Sequence, residues 1–403
     1  MMTFLKRLLG AFSSLRLTIF CLAAALVLVF VGTVTVMQFG VYMVQERFFQ
    51  SWFIWWTPPS GGFGCRVFSA DFTIPGIPLF PGGHLIGAVL LVNLIASMIR
   101  RFSWTWRKTG IQLIHLGIII MLVGGLATDL LSVTSNMRIR KGATKDYTED
   151  SSRVELAVTD LTDGRGEHVT TVPGELLADG GTITHPLLPC RIGVRNFYRN
   201  SALQEIGGSD SKAVPAADKG AGTWVSVKPL PRVTRMDERD VTSAVVEILP
   251  LNGGKSLGTW LVSDVMAEPQ PFELDGRLWN LQLRPVRYYK PYSLKLLDFT
   301  HEVYPGTDQP RNFASKVMLD DKEHHEHREV VIYMNHPLRY LGDTYYQSGF
   351  DRDNGGTILQ VVHNPGYQMP YVACAIVSLG LVFQFTFHLV GFIRRRIHSA
   401  TEP

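Results

Sequence analysis

Cysteine is scarce in this sequence: Cys21, Cys65, Cys190 and Cys374 are the four in 403 residues. None belongs to a C-x-x-C pair, which argues against a thiol–disulfide reductant, and the lack of C-x-x-C-H excludes haem held covalently by the chain's own thiols. Cys21 and Cys374 fall inside apolar runs, so at most one disulfide, Cys65 with Cys190, is open to the chain; unrelated thiols are the simpler alternative. No nucleophile elbow, H-E-x-x-H, Walker loop or dinucleotide fingerprint occurs, so the machinery of a conventional hydrolase or nucleotide-driven enzyme is missing. The formal net charge of +4 is too small to indicate a nucleic-acid partner. Helical periodicity is hard to find through the middle of the chain, and no internal repeat is visible.

What is present is unevenly distributed. Hydrophobic residues make up 46%, but they concentrate near the two ends. A hydrocarbon core of about 30 Å needs roughly 20 apolar residues. Four runs meet that need: 17–37, 84–99, 110–131 and 371–393. The first is too long for a signal-peptide core and lacks an evident cleavage site, so it is expected to be retained. Basic residues set the direction, because Lys and Arg flanks stay in the cytoplasm. Lys6, Arg7 and Arg16 precede the first run; Arg100, Arg101, Arg107 and Lys108 fill the link between the second and third; Arg394, Arg395 and Arg396 follow the fourth. All three clusters share one side if both termini are cytoplasmic. The expected order is a cytoplasmic N-terminus (1–16), an outer loop (38–83), a cytoplasmic link (100–109), an extracytoplasmic domain (132–368) and a cytoplasmic tail (394–403). Trp52, Trp55, Trp56 and Phe63 on one side, and Trp104 and Trp106 on the other, suit the two headgroup regions.

Residues 132–368 alternate with period two. Val154–Asp160, Thr259–Val265, Leu278–Val286, Tyr292–Phe299, Val330–Asn335 and Thr357–His363 read as strands, and Asp163-Gly164, Asn252-Gly253 and Asp275-Gly276 as turns. The fold class is thus an integral membrane protein with four transmembrane helices and a large, mostly-β extracytoplasmic domain, folded as one unit or two. Ser201–Gly222, rich in Gly, Ser, Ala and Lys, reads as a mobile loop or a linker between lobes.

Histidine carries most of the candidate chemistry. His115 lies about 7–8 Å into the third run at 1.5 Å per residue, and an ionisable residue within a span is a functional candidate. The alternative is a neutral imidazole bonded to a neighbouring helix. His388 sits about six residues before Arg394, which places it at a matching depth. Two neutral imidazoles at one depth can bind a haem iron axially, or they can be unrelated. His84 marks the outer mouth of the second run as a ligand site or a solvated interfacial residue. In Lys322–Glu329, His324, His325 and His327 form either a metal site in need of further ligands or a solvated charged turn.

The segment from Leu297 to Gly366 carries a family resemblance. It contains Tyr304-Pro305-Gly306-Thr307 followed by Phe313-Ala314-Ser315. Next come Met334-Asn335, Pro337-Leu338, Gly342 and Tyr345-Tyr346-Gln347-Ser348-Gly349-Phe350-Asp351. Asn364-Pro365-Gly366 then opens the last run. This resembles the ResB (CcsB) family of system II cytochrome c biogenesis. Ser14-Leu15-Arg16-Leu17 and Gly32-Thr33 are similar to the family too, as is the order of three spans, a large outer domain and a last span. The resemblance implies a subunit of a haem export and cytochrome c–haem ligation complex in a bacterial cytoplasmic (inner) membrane. Its partners would be a CcsA-like haem-handling membrane protein, the apocytochrome c and membrane lipid. It implies haem b bound in transit, with His115 matching the family's third-span histidine; the second axial ligand usually belongs to the partner, which leaves His388 weaker. Arg101, Arg107 or Lys108 could pair the propionates. No tryptophan-rich motif of the partner type occurs, so the fused form of the synthase is not expected. The chain would then be a non-catalytic or accessory subunit of a cytochrome c haem lyase (synthase) complex. The alternative is a membrane scaffold subunit with no haem of its own.

Overall fold

The computed structural model describes residues 7, 9–56, 77–100, 102, 105–162, 168–206, 214–233, 239–251, 253–303, 306, 310–351 and 355–401. Lys6, Phe63, Cys65, Arg101, Trp104, Asp163, Gly164, Asn252, Tyr304, Pro305 and Thr307, named above, lie outside the described residues. The chain divides into two compact units, one built from its two ends and the other from residues 133–233 and 238–363.

Among the described residues the first unit holds four helices long and apolar enough to cross a membrane. They are α1 (Leu15–Val44), α2 (Gly83–Arg100), α3 (Trp106–Leu131) and α4 (Met369–Thr401). Their large side chains face outward, and only 6% of the apolar window of α4 is buried within the protein, which suits a lipid environment. Gly40, at φ 74°, kinks α1 just past its most apolar part. Beyond α1, a π-helical turn (Gln45–Phe49) leads into β1 (Phe53–Trp56), which pairs antiparallel with β2 (Ile77–Pro81). Helices α1 and α2 are joined through Asn93, which is buried. Its amide donates to Phe12 O at 2.5 Å and Ser14 O at 3.1 Å, and its carbonyl accepts from Thr18 Oγ1 at 2.7 Å. An amide with all these partners is affordable in an apolar bundle because no polar atom is left bare. Cys21, Ala24, Leu28 and Ile86 pack beside it.

The second unit is almost entirely antiparallel sheet. Its main sheet has ten strands; the principal path is β15 (Glu326–Tyr333), β14 (Pro310–Asp321), β13 (Arg277–Val303), β4 (Thr144–Asp160), β3 (Val133–Arg140), β18 (Gly356–His363), β17 (Asp343–Phe350), β16 (Leu338–Tyr340). Strands β5 (His168–Pro173) and β12 (Gln270–Leu274) pair off this path with β4 and β13. A second sheet orders β11 (Gly258–Ser263), β10 (Ser243–Pro250), β7 (Cys190–Tyr198) and β6 (Gly181–Ile183).

Two hydrophobic cores result, and β13 runs through both. Its first part, with Leu281 and Leu283, packs with Leu156 and Val158 of β4 against Ile192, Val246 and Val262 of the smaller sheet. Its second part, with Leu294 and Leu296, packs with Met137, Val317, Ile332, Tyr345 and Leu359. These residues come from strands at both ends of the main sheet, so the sheet curls around them. The alternations at 278–286 and 292–299, read as two strands, are one 27-residue strand. Pro285 and Pro291 explain the break in pattern. A proline lacks the N–H a ladder needs and sits where pairing slips, and the register with β4 shifts between Pro285 and Arg287 and again between Tyr289 and Leu294.

Ser201–Gly222 differs from its reading as a loop. Ser201–Glu205 (β8) pairs with Val225–Pro229 (β9), and Ala217 is buried with Val225, Val245 and Leu261. Small residues there allow close packing; residues 207–213 are outside the described set. Cys190 is a free thiol with no exposed surface, deep in the first core.

Candidate functional site

Helices α3 and α4 form the most extensive helix pairing in the first unit, and glycine makes it possible. Gly110, Gly117 and Gly124 recur every seven residues along α3 and are buried. A Cβ at Gly117 would lie 2.5 Å from Val377 Cγ2 and 2.9 Å from Ala373 O; one at Gly110 would lie 2.7 Å from Gln384 Oε1. Without these side chains the backbones approach closely, the usual means of helix association in lipid.

His115 lies on α3 between Gly110 and Gly117 but off their stripe, half exposed. Its Nδ1 is 2.7 Å from Ile111 O, one turn earlier on the same helix. A carbonyl oxygen can only accept, so Nδ1 carries the proton and Nε2 is left as the lone-pair nitrogen. That is the tautomer a metal requires, with the ring held by a hydrogen bond behind it. Helix α3 begins at Trp106, so His115 lies about 14 Å along its axis at 1.5 Å per residue.

His388 is arranged otherwise, and the expectation of a shared depth fails. Gly110 packs against Gly380 and Gln384, and Gly117 against Ala373 and Val377. Extending this antiparallel register places His388 near the start of α3, and the two imidazoles are about 15 Å apart along the helix axes. One iron cannot bridge that distance. Counting residues from the Arg394 cluster gave the wrong depth because α4 continues past Arg396 to Thr401. Its Nε2 also lies 2.7 Å from Gln384 Nε2, so the amide donates to it and occupies that lone pair.

His84 meets a carboxylate: its Nε2 is 2.5 Å from Asp129 Oδ2, while Gln50 donates to Asp129 Oδ1 at 2.7 Å. This ties α2, α3 and the π-helical turn together, and the Trp52 ring lies 6.1 Å from the imidazole. The histidine tract of the second unit does not converge. His324 and His327 bond to Asp321 and Asp320, and His325 sits at φ 54° in the turn. Among the described residues no three His, Cys, Asp or Glu side chains come together as a metal cage.

Within the second core the polar side chains form two groups, one around Asp343 and one around Gln347. Asp343, almost fully buried, accepts from Tyr292 Oη at 2.9 Å and from Lys290 Nζ at 2.7 Å, and Tyr292 Oη meets Tyr345 Oη at 2.7 Å. Burial pushes the Tyr292 and Tyr345 hydroxyls above the ordinary tyrosine range, and the Asp343 charge adds to it. Ser315 Oγ donates to Gln347 Oε1 at 2.5 Å, and Gln347 Nε2 donates to Thr357 Oγ1 at 2.8 Å. Phe350 gathers Phe299, Phe313 and His301 around it, with the His301 ring at 4.2 Å. The motif residues Phe313, Ser315, Tyr345, Gln347 and Phe350 therefore meet in space.

Residues 278–357, from β13 to the start of β18, match the model of the ResB-like family. This part of the chain is similar to the ResB-like family. Protein NrfI of Wolinella succinogenes is 34% identical over 110 residues, 27% of this chain. The match spans only 12% of that protein's length. The ResB-like segment builds the second core and its polar groups. Its signature is thus largely a folding signature, whereas His115 lies outside it. The Asp343 network was not foreseen: Tyr292 and Tyr345 are 53 residues apart in the chain, and the Asp and Lys look like ordinary turn and strand charges. The only signal was Tyr292 and Tyr345 on the inward phase of alternating strands.

Proposed function

We propose that this chain is a ResB-like subunit of a system II cytochrome c biogenesis complex that holds haem b in transit through His115. The ResB-like segment supports the reading at the level of the pathway, and the His115 geometry supports its chemistry. Haem is the cargo here, a substrate in passage. An imidazole with Nδ1 tied to Ile111 O and Nε2 open offers one axial ligand. A porphyrin brings four nitrogens of its own, so a single imidazole suffices where a bare ion would need three or four protein donors. The half-exposed flank of α3 leaves room for a flat macrocycle and for a CcsA-like partner that supplies the opposite ligand. Arg107 and Lys108 at the start of α3 can pair the anionic propionates. Exchange demands that no second ligand from this chain close the site, which agrees with the distance between His115 and His388.

In this reading the chain lies in a bacterial cytoplasmic membrane with its termini and basic clusters inside and the β unit outside, where the partner and the apocytochrome c are met. The chain is an accessory subunit of the haem lyase (synthase) complex. The decisive experiment compares pigment in purified full-length protein. Wild type is expected to carry a Soret band that His115→Ala diminishes, with c-type cytochrome maturation lost as well, while His388→Ala keeps both. A colourless wild type, co-purified with its partner and fully supporting maturation, would establish the scaffold alternative instead.

A further inference from the structure

A second imidazole in this chain is presented as a metal-binding imidazole is, and it lies in the β unit. His363 is the last residue of β18. Its Nδ1 is 2.9 Å from Asp343 Oδ1. The carboxylate is itself fixed: Lys290 and Tyr292 hold its other oxygen at 2.7 and 2.9 Å, and its side chain is 4% exposed. The imidazole is 48% exposed, so one edge is anchored in the core while the other faces out. Nδ1 donates to the carboxylate, and Nε2 keeps its lone pair without a partner among the described residues. Lys290 supplies the counter-charge to Asp343, and an imidazole that ligates a metal does so in its neutral form.

The backbone around the ring is shaped for it. Gly342, at φ 83°, has left-handed geometry, and a Cβ there would lie 3.2 Å from His363 Cε1. Glycine thus lets the ring lie against the β16–β17 turn, whose Leu341 exposes an apolar side chain beside it. The other paired histidines differ. The carboxylate under His324 caps its own turn, accepting the N–H groups of Glu323 and His324, so that contact is explained locally. His327 and Asp320 are a cross-strand pair with both side chains exposed. His84 spends Nε2 on its carboxylate. Among the described residues, only at His363 does a buried, twice-anchored carboxylate from 20 residues away orient an exposed imidazole.

We propose that His363 is a second haem-iron ligand, an axial imidazole in the β unit with Asp343 as its positioning residue. The ligand class is a metalloporphyrin rather than a bare cation, because among the described residues no group of three His, Cys, Asp or Glu side chains forms a metal cage, at His363 or elsewhere. The proposal rests on the haem-handling reading above and extends it. The chain then has two haem stations, His115 on an apolar helix and His363 on the sheet, each with Nδ1 bonded and Nε2 open.

The test titrates hemin into detergent-purified, full-length protein and follows the Soret band and the low-spin electron paramagnetic resonance signal of histidine-ligated iron. In the His115→Ala background the titration is expected to saturate at one hemin per chain. Adding His363→Ala should weaken that binding at least tenfold. In the same background His363→Gly should regain the low-spin signal when free imidazole is supplied, and Asp343→Asn should weaken binding roughly 10–100-fold, as loss of an outer-shell carboxylate does. Melting curves verify folding, with His363→Gln replacing any variant that melts early. If His115→Ala alone removes all hemin binding, the His363 proposal is overturned and the His115 reading stands. If His363→Ala removes one equivalent while His115→Ala changes nothing, this proposal stands and the His115 assignment falls. Titrations identical across wild type and all variants overturn both.

Discussion

Single side chains in the β unit behave as their burial dictates. Burial raises the Cys190 thiol to about 11, so at pH 8 it is protonated and sealed in the first core. Native protein is expected to leave Cys190 unmodified by a maleimide over hours, and to expose it within minutes in denaturant, as peptide mass mapping would record. Asp321 moves the other way. Burial pushes its carboxyl up, but donors from His324, Tyr340 and Glu323 outweigh that and bring it down from 3.8 to about 2. A depressed folded value means the unfolded chain binds the proton first, so this stabilisation is complete above pH 4 and fades toward pH 2. Asp321→Asn should therefore flatten the acid limb of a stability-against-pH curve while lowering its neutral plateau. His115 was legible because an ionisable residue in an apolar run stands out without any fold. His388 stood out equally, and its depth was misjudged because depth depends on the packing register of two helices, a long-range quantity. His363 gave no signal, since the carboxylate that orients it is brought close only by the β17–β18 pairing.

At the scale of the element, the α3–α4 contact and strand β13 make opposite demands. The helices need atoms to be absent. Gly117→Leu would drive a side chain into Val377 and the Ala373 carbonyl, whereas Gly125 has nothing within 4 Å of its Cβ position. Overpacking of this kind costs about 1–3 kcal/mol or more. Gly117→Leu is expected to lower the detergent melting temperature by several degrees and Gly125→Leu to leave it unchanged; equal effects would place the helix contact elsewhere. Strand β13 needs atoms to be present. Leu294 is fully buried and Leu278 is half exposed. Leu294→Ala should lose about 2–5 kcal/mol in urea unfolding, and Leu278→Ala should lose a few tenths. Period-two alternation exposed the inward phase of β13 on both sides of the prolines. It did not show that they belong to one strand, because a proline within an alternating run marks an edge or a bulge equally well. Strands such as β10 and β14 went unread, since their outward or flanking positions do not keep a clean polar alternation.

For the whole molecule, the question with most consequence is which side of a membrane the β unit occupies. Helix lengths are even-handed on this point: four apolar helices thread the chain equally well in either direction. Charge is not. Arg16, Arg100, Arg107, Lys108 and Arg394–Arg396 lie in or beside helix ends that share one side for four antiparallel crossings; at the opposite ends the nearest basic residues are Arg47, just past α1, and Arg138, Arg140 and Lys141, which begin in β3 rather than at the end of α3. Moving such a cluster outward works against the positive-inside bias and the membrane potential, which is worth about 2.3 kcal/mol per charge per 100 mV. The proposed orientation is the one that carries the β unit, which follows α3 and precedes α4, outside. Lys322 is exposed in the turn before β15 and makes a clean reporter. In a Cys65→Ser background, with Cys190 sealed and Cys21 and Cys374 in apolar helices, Lys322→Cys should react with a membrane-impermeant maleimide in cells whose outer barrier is opened and inner membrane intact. A cysteine at Arg107 should react only after lysis. The reverse pattern would put the β unit in the cytoplasm, where it could neither receive an exported haem nor meet an apocytochrome, and both proposed haem stations would lose their purpose even if their imidazoles bound iron.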